Sequence, residues 1–355
     1  MRVKHAVSVV AQEPAVTVRA AEAADESDFD ILYVGDVQST HRELWTTLAL
    51  IGSCTDRVQI GPGVTNPVTR HPAVTSGALA SIDEISCGRA FLGLGTGDSA
   101  VRNLNLKPAT IGRTLDYALA VRAAHEDGRA EWDGVEFAAR KWDRRIPIFL
   151  SAHGPKALQA AGLVADGVIA GIGTTPEAIE YVEENVALGA KRAGRDPADI
   201  QIWHMSYPSV ADTRSNAVLR VAATLAAGGN LLARSPAVAS VPHRLRSAFD
   251  QLAAEYTYTA HVDTGIESPN TILVEKLGLT DYLASRFALA GTPDEVRGQI
   301  VENSRHGVNA YWHIYSRPDL DLFVRQWGSE IIGCGTSPEL PQSTGNDRAP
   351  GGGSK

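Results

Sequence analysis

Short runs rich in β-branched residues alternate along this chain with longer, Ala-rich runs whose apolar positions recur every three to four residues. The short runs predict strands at His5 to Val9, Ile31 to Gly35, Val58 to Gly61, Ala90 to Gly95, Ile146 to Ser151, Gly167 to Ala170, Ile200 to Tyr207 and Val308 to Ile314. The long runs predict helices, among them Val16 to Ser27, Arg42 to Ser53, Pro72 to Ile85, Thr110 to Glu126, Pro155 to Ala165 and Pro176 to Ala193. This is the pattern of about eight βα units around a parallel sheet. Several strands run straight into Gly, Asp, Ser or Thr before a helix begins, as the catalytic-face loops of an α/β barrel do.

Two stretches break the alternation. Ala130 to Arg145 contains a Trp132-Asp133-Gly134 turn, and Gly228 to Arg286 is long and mixed. Both read as loop insertions. The second includes a helical run from Pro242 to Tyr258 and is expected to build a lid or a subunit contact. The expectation is one barrel domain over 1–335 with its insertion at 228–286, then a tail at 336–355 whose Pro, Ser and Gly content predicts disorder.

Composition narrows the partners. With 33 basic and 41 acidic side chains the formal charge is −8, which argues against an electrostatic hold on nucleic acid or an anionic membrane. A small-molecule substrate fits better, and a homo-oligomer is expected. Cys54, Cys87 and Cys334 form no CxxC pair, so neither a disulfide framework nor a cysteine metal site is supported, and no metal is expected. No run of 18 apolar residues exists, and the N-terminal segment is too short for a signal peptide, so a cytoplasmic location is expected.

Candidate chemistry concentrates in Gly61-Pro-Gly-Val-Thr-Asn-Pro-Val-Thr-Arg-His-Pro-Ala-Val-Thr75 and in Gly93-Leu-Gly-Thr-Gly-Asp98. Glycines and prolines at strand ends permit unusual backbone and the close approach of a flat ligand, although an ordinary βα loop would read the same way. A dinucleotide fingerprint is a poor reading of the second run, since Asp98 stands where the third glycine belongs. The signatures of nucleotide hydrolysis, zinc proteolysis and serine esterases are missing. Asp36 and Asp98 follow strands and are candidates to orient substrate or relay a proton, with helix capping the alternative for each. Of the scattered histidines, His204 and His313 sit on strands near barrel ends. Tyr256, Tyr258 and His261 form a polar aromatic patch in the insertion.

These segments, with a second anchor at Ser151-Ala-His-Gly-Pro-Lys-Ala-Leu-Gln-Ala-Ala-Gly-Leu-Val-Ala-Asp-Gly-Val168, resemble the luciferase-like flavin oxidoreductase superfamily near its methylene-tetrahydromethanopterin reductase branch. The resemblance covers most of residues 3–332. It implies a (β/α)8 TIM barrel with loop insertions, in agreement with the strand count, and a flavin or deazaflavin at the C-terminal face. It implies a non-prolyl cis peptide at Gly63-Val64 under the ring, with Thr65 and Asn66 at the ring's polar edge. Gly95, Thr96 and Gly97 would follow the fourth strand. Ser151, His153, Gly154, Pro155 and Lys156 would meet the phosphate at a helix N-terminus, and Gly171, Ile172, Gly173 and Thr174 would complete the cradle. By their own positions at strand ends, Asp36, Asp98 and His313 are the expected catalytic set.

Two features bear on the cofactor. Many FMN enzymes of this superfamily carry an Arg after the fourth strand, whereas Gly95-Thr96-Gly97-Asp98 is nearer to the deazaflavin reductases. Those reductases have an acidic residue at the end of the first strand, and Ser8-Val9-Val10 offers none, which argues against pterin reduction. The first expectation is therefore an FMN-dependent monooxygenase, its reduced flavin supplied by a separate flavin reductase. The alternative is hydride transfer with the deazaflavin coenzyme F420. A third reading, of another class, is a non-catalytic flavin-binding protein on the same barrel.

Overall fold

The computed structural model describes residues 2–334, apart from Asp143, Pro236, 238–239, 258–259, 261–264, 266 and Pro318. Its strands are β1 (Lys4–Val9), β2 (Ile31–Val34), β3 (Gln59–Pro62), β4 (Leu92–Leu94), β5 (Arg129–Trp132), β6 (Val135–Ala138), β7 (Ile148–Ala152), β8 (Gly167–Ala170), β9 (Gln201–Val210), β10 (Ala288–Gly291) and β11 (Ala310–His313). Eight of them pair in parallel in the order β3-β2-β1-β11-β9-β8-β7-β4. Bridges from Ile60 to Ala90 and from Thr65 to Leu94 join the two ends of that path, so the sheet is a nearly closed barrel ringed by helices. The expected TIM barrel is the fold.

Alternation along the strands sorts side chains into two layers. Ala6, Ile31, Tyr33, Phe91, Phe149, Ile169, Trp203, Ala310 and Trp312 fill the barrel interior. The fill is largely aromatic: Tyr33 stacks on Trp312 at 4.1 Å between ring centroids, and Phe91 on Phe149 at 5.0 Å. Val7, Leu32, Val34, Ile60, Leu92 and Val168 face the other way, into the apolar layer under the helices. Burial of both faces removes the polar half of the usual strand pattern, so these strands read as continuous apolar runs.

The two interruptions differ in kind. The first is an antiparallel hairpin of β5 and β6. Asp133 and Gly134 at its tip have φ of 53° and 76°, the left-handed pair that a tight two-residue hairpin turn requires. The second begins inside a helix, since Gly228 lies within Arg214–Ala233, and it ends inside Thr280–Phe287. A Cβ on Gly228 would fall 2.5 Å from the Tyr207 hydroxyl, so glycine here lets that helix lie directly on β9. β10 then extends the sheet beyond β8 by pairing with Tyr207 to Val210. Tyr256 is buried, while Tyr258, His261 and the tail at 336–355 lie outside the described residues.

Candidate active site

All barrel strands run the same way, so the loops that follow β2, β3, β4, β7 and β8 meet at one mouth. The Gly63-Val64 peptide is cis, as the resemblance implies. The Gly63 N–H donates to the Val34 carbonyl at 2.8 Å, Thr65 N–H to Gly93 at 3.0 Å, and Gly95 N–H to Thr65 at 2.9 Å. These bonds tie three neighbouring loops into one surface. Val64, Met205 and Ile314 lie half-buried on top of the aromatic fill, giving the mouth an apolar floor.

Asp36 closes one side of this floor, though not as a free carboxylate. Its side chain is 1% exposed, accepts from the Thr65 hydroxyl at 2.7 Å and pairs with Arg70 at 2.5 Å. Arg70 reaches Glu43 as well, at 3.1 Å. Burying a carboxylate is tolerable with such partners, and the result pins the loop after β3 to the end of β2. The Thr65 hydroxyl is turned to Asp36, and no sequence motif pointed to Arg70.

Asn66 is buried in the loop after β3. Its Oδ1 accepts from Val68 N–H and Thr69 N–H, each at 3.0 Å, while its buried Nδ2 has no acceptor among the described residues. A buried amide N–H₂ without a protein partner is a donor that water or a ligand can take up. The loop after β4 carries Gly95, Thr96, Gly97 and Asp98, and the Thr96 carbonyl accepts from Ala109 at 2.8 Å. Asp98 is exposed. Its backbone carbonyl opens the short helix Ser99–Arg102, while its carboxylate pairs with Arg102 at 2.6 Å and caps none of the helix N–H groups.

His153 follows β7 on the same inward face as Phe149 and Ser151. Its Nδ1 accepts from the Gly171 N–H at 3.0 Å, and its Nε2 lies 3.5 Å from the Ser151 hydroxyl. Burial lowers its pKa to about 4, so the ring is neutral at pH 7. A Cβ on Gly171 would stand 2.6 Å from this ring and 2.5 Å from the Met205 sulfur, which is why the loop after β8 must begin with glycine.

Two helices open side by side at this end. Pro155–Val164 starts at Gly154 and Pro176–Arg192 at Thr175, each with proline in its first turn and neither with a side-chain cap. The N–H groups of Lys156 and Ala157 meet no acceptor among the described residues, and the buried Thr175 hydroxyl is also unpartnered. Free N–H groups and the positive ends of two helix dipoles make a ready seat for an anion. Gly171, Ile172, Gly173 and Thr174 form the loop that delivers the second helix.

His313 is not brought to the mouth. Ala310 and Trp312 point into the barrel, so His313 faces the helix layer, 0% exposed, with its ring 4.9 Å from Trp327. There its Nε2 meets His5 Nδ1 at 2.8 Å and its Nδ1 meets the Ser206 hydroxyl at 2.8 Å. His204 likewise alternates outward from Trp203 and Met205, 2% exposed, with its pKa lowered by burial to about 4. Both are wall residues rather than mouth residues.

Comparison with known proteins agrees with this architecture. Residues 2–310 match the family model of the luciferase-like monooxygenases, and the chain belongs to that family. It is 28% identical over 328 residues to the 5,10-methylenetetrahydromethanopterin reductase of Methanolobus tindarius, covering 88% of this chain and 94% of that one. It is also 28% identical to the F420-dependent glucose-6-phosphate dehydrogenase of Microbacterium testaceum, over 87% and 90% of the two chains. The solved coenzyme F420 dependent tetrahydromethanopterin reductase from Methanopyrus kandleri superposes with a TM-score of 0.75 at 22% identity, covering 94% of this chain and 99% of that one.

These findings overturn the expectation of an FMN monooxygenase. Relatives aligned along nearly the whole chain are reductases and dehydrogenases, whereas the monooxygenases among the structural matches share only 20%, 14% and 12% identity. The separate flavin reductase goes with that reading. The protein is an oxidoreductase, and among the described residues no helix is long and apolar enough to cross a membrane.

Proposed function

We propose that this protein is a coenzyme F420-dependent oxidoreductase that moves a hydride between the deazaflavin and a small organic substrate. The observation that carries the reading is the near full-length similarity to a relative named as an F420-dependent dehydrogenase. The mouth suits a flat ring with an anionic arm: an apolar floor of Val64, Met205 and Ile314, an unpaired Asn66 amide at its edge, and uncapped helix ends beyond. Bound there, F420 would supply a carbon centre that gives or takes two electrons as hydride, without oxygen chemistry.

The chain's own part is to bind, orient and handle the proton. Val64, Met205 and Ile314 would support the ring and exclude water beneath it. Asn66 and the neutral His153 would donate hydrogen bonds to its polar edge. The N–H groups of Lys156 and Ala157, with Gly154, Pro155 and the loop Gly171 to Thr174, would receive the phosphate. Asp98, the exposed carboxylate of this rim, would take the proton a hydroxyl substrate loses as its hydride departs, and return it in reverse. Asp36 would act through Thr65 and Arg70, holding the loop that carries the ring support.

Titration of the purified protein with F420 and FMN side by side tests this. Tighter binding of F420, and substrate-dependent bleaching of its visible absorption without oxygen uptake, is the expected result. Oxygen consumption that requires reduced FMN and substrate would refute it.

A further inference from the structure

Arg286 is one of the largest fully buried side chains, 1% exposed, and sits near the end of the helix Thr280–Phe287. Its guanidinium donates to three neutral acceptors: Nε to the Ile172 carbonyl at 2.8 Å, Nη1 to the Tyr282 hydroxyl at 2.8 Å, and Nη2 to the Ser240 hydroxyl at 2.9 Å. Its own carbonyl accepts from Thr174 N–H at 2.8 Å. The loop from Gly171 to Thr174 is thus clamped to this one residue at Ile172 and at Thr174.

No carboxylate of the described residues lies within 4.0 Å of the guanidinium. Of the partly buried arginines, Arg70 is matched by Asp36 and Arg122 by Asp166, while Arg89, like Arg286, meets only neutral oxygens but is not fully buried. A cation removed from water without an opposite charge is costly even when hydrogen bonded. A neutral oxygen meets each guanidinium nitrogen, and among the described residues no negative charge compensates the cation.

The clamp shows where the missing negative charge belongs. Ile172 and Thr174 lead directly into Thr175 and the uncapped helix Pro176–Arg192, whose dipole adds positive potential at the same place. We infer that Arg286 is a positioning residue and buried counter-charge for a phosphate group seated at these helix ends, acting through the loop it clamps rather than by contact. The inference rests on the reading that the mouth takes a phosphate-bearing cofactor. It goes further in assigning the compensating charge to a residue of the segment between β9 and β10, over 100 positions from the helix ends it serves.

One consequence can be read without any cofactor. The unloaded protein carries a charge that an anion relieves, so inorganic phosphate should stabilise it beyond an equal ionic strength of chloride. The experiment compares melting temperatures of the wild type, Arg286→Lys, Arg286→Met and Ser240→Ala in phosphate and in chloride. A rise of a few degrees in phosphate is expected for the wild type and for Ser240→Ala, which keeps the charge and loses one acceptor. Arg286→Lys should keep at least half of the rise, and Arg286→Met should lose it. A purely structural latch would lower all variants equally in both salts and leave the phosphate shift unchanged; that result overturns the inference. So does a wild type indifferent to phosphate. If Arg286→Met fails to fold, the lysine and alanine variants still decide, because loss of the shift in both would show that clamp geometry, and not charge, sets it. Preference for FMN over F420 in the titration above would defeat the proposed function and leave this result standing.

Discussion

The backbone N–H of Gly171 donates to Nδ1 of His153 across 3.0 Å, and that bond decides which nitrogen of the ring carries the proton. With Nδ1 accepting, the neutral imidazole is protonated on Nε2 and offers a donor to the mouth. His153→Gln keeps a donor at that position, whereas His153→Ala removes it. Cofactor affinity should fall about tenfold in the alanine variant, the scale of one hydrogen bond, and stay near wild type in the glutamine variant. Fluorescence titration with F420 measures both. Equal losses in the two variants would mean that the ring acts by shape alone.

Acid should destabilise the protein before its carboxylates titrate. Burial lowers the pKa of His5 to about 3 and those of His153 and His204 to about 4. An unfolded chain protonates these rings near 6.5, so below that pH the unfolded state takes up protons that the folded state refuses. Stability is full above 6.5, drops as pH falls, and each histidine's share of the loss is complete once its folded pKa is reached. At about 1.4 kcal/mol per pKa unit the part lost between pH 6.5 and 5 is several kcal/mol. Urea unfolding at pH 7 and at pH 5 should show the loss, and His204→Gln should flatten the slope. An unchanged midpoint between those pH values would contradict it.

Asp36→Asn separates pinning from chemistry. The variant retains an acceptor for Thr65 but leaves the mostly buried Arg70 with only the half-exposed Glu43. Breaking a buried pair in this way should lower stability by about 3 kcal/mol and weaken cofactor binding together with turnover. Wild-type stability with turnover alone abolished would return Asp36 to the catalytic set.

Asp98→Asn should do the reverse. Its carboxylate is 71% exposed and its pair with Arg102 spans one helical turn on the surface, so the change in stability should stay within about 0.5 kcal/mol. Turnover on the true substrate should drop about 100-fold, the effect of losing a positioned acid or base. Full turnover in this variant would show that Asp98 serves only Arg102.

Strand positions were legible because each is a local apolar run. Gly167 to Ala170 came out with the same bounds, and the glycine-rich loops after β3, β4 and β8 located the mouth because backbone that must turn sharply or admit a ligand announces itself locally. β10 did not announce itself. Ala288-Leu-Ala-Gly291 is too short and too uniform to show a period, and only its pairing with Tyr207 to Val210 makes it a strand. A local signal does stand just beyond it, where Thr292 and Glu295 form a reciprocal capping box for the helix Pro293–Arg305.

Periodicity in the chain thus determined the number, kind and order of the barrel's elements, and where its loops gather. It could not say which set of alternate residues faces inward. Both faces of a barrel strand are buried, so Trp312 and His313 look equally internal, and only closure of the sheet sent the first into the barrel interior and the second under Trp327. Charge partners were decided at the same level. Asp36 meets Arg70 across 34 positions and Arg286 donates to the Ile172 carbonyl across 114, distances over which no local pattern records who pairs with whom. A side chain's chemistry at this mouth depends on whether its charge is already matched, and matching is a property of folded space.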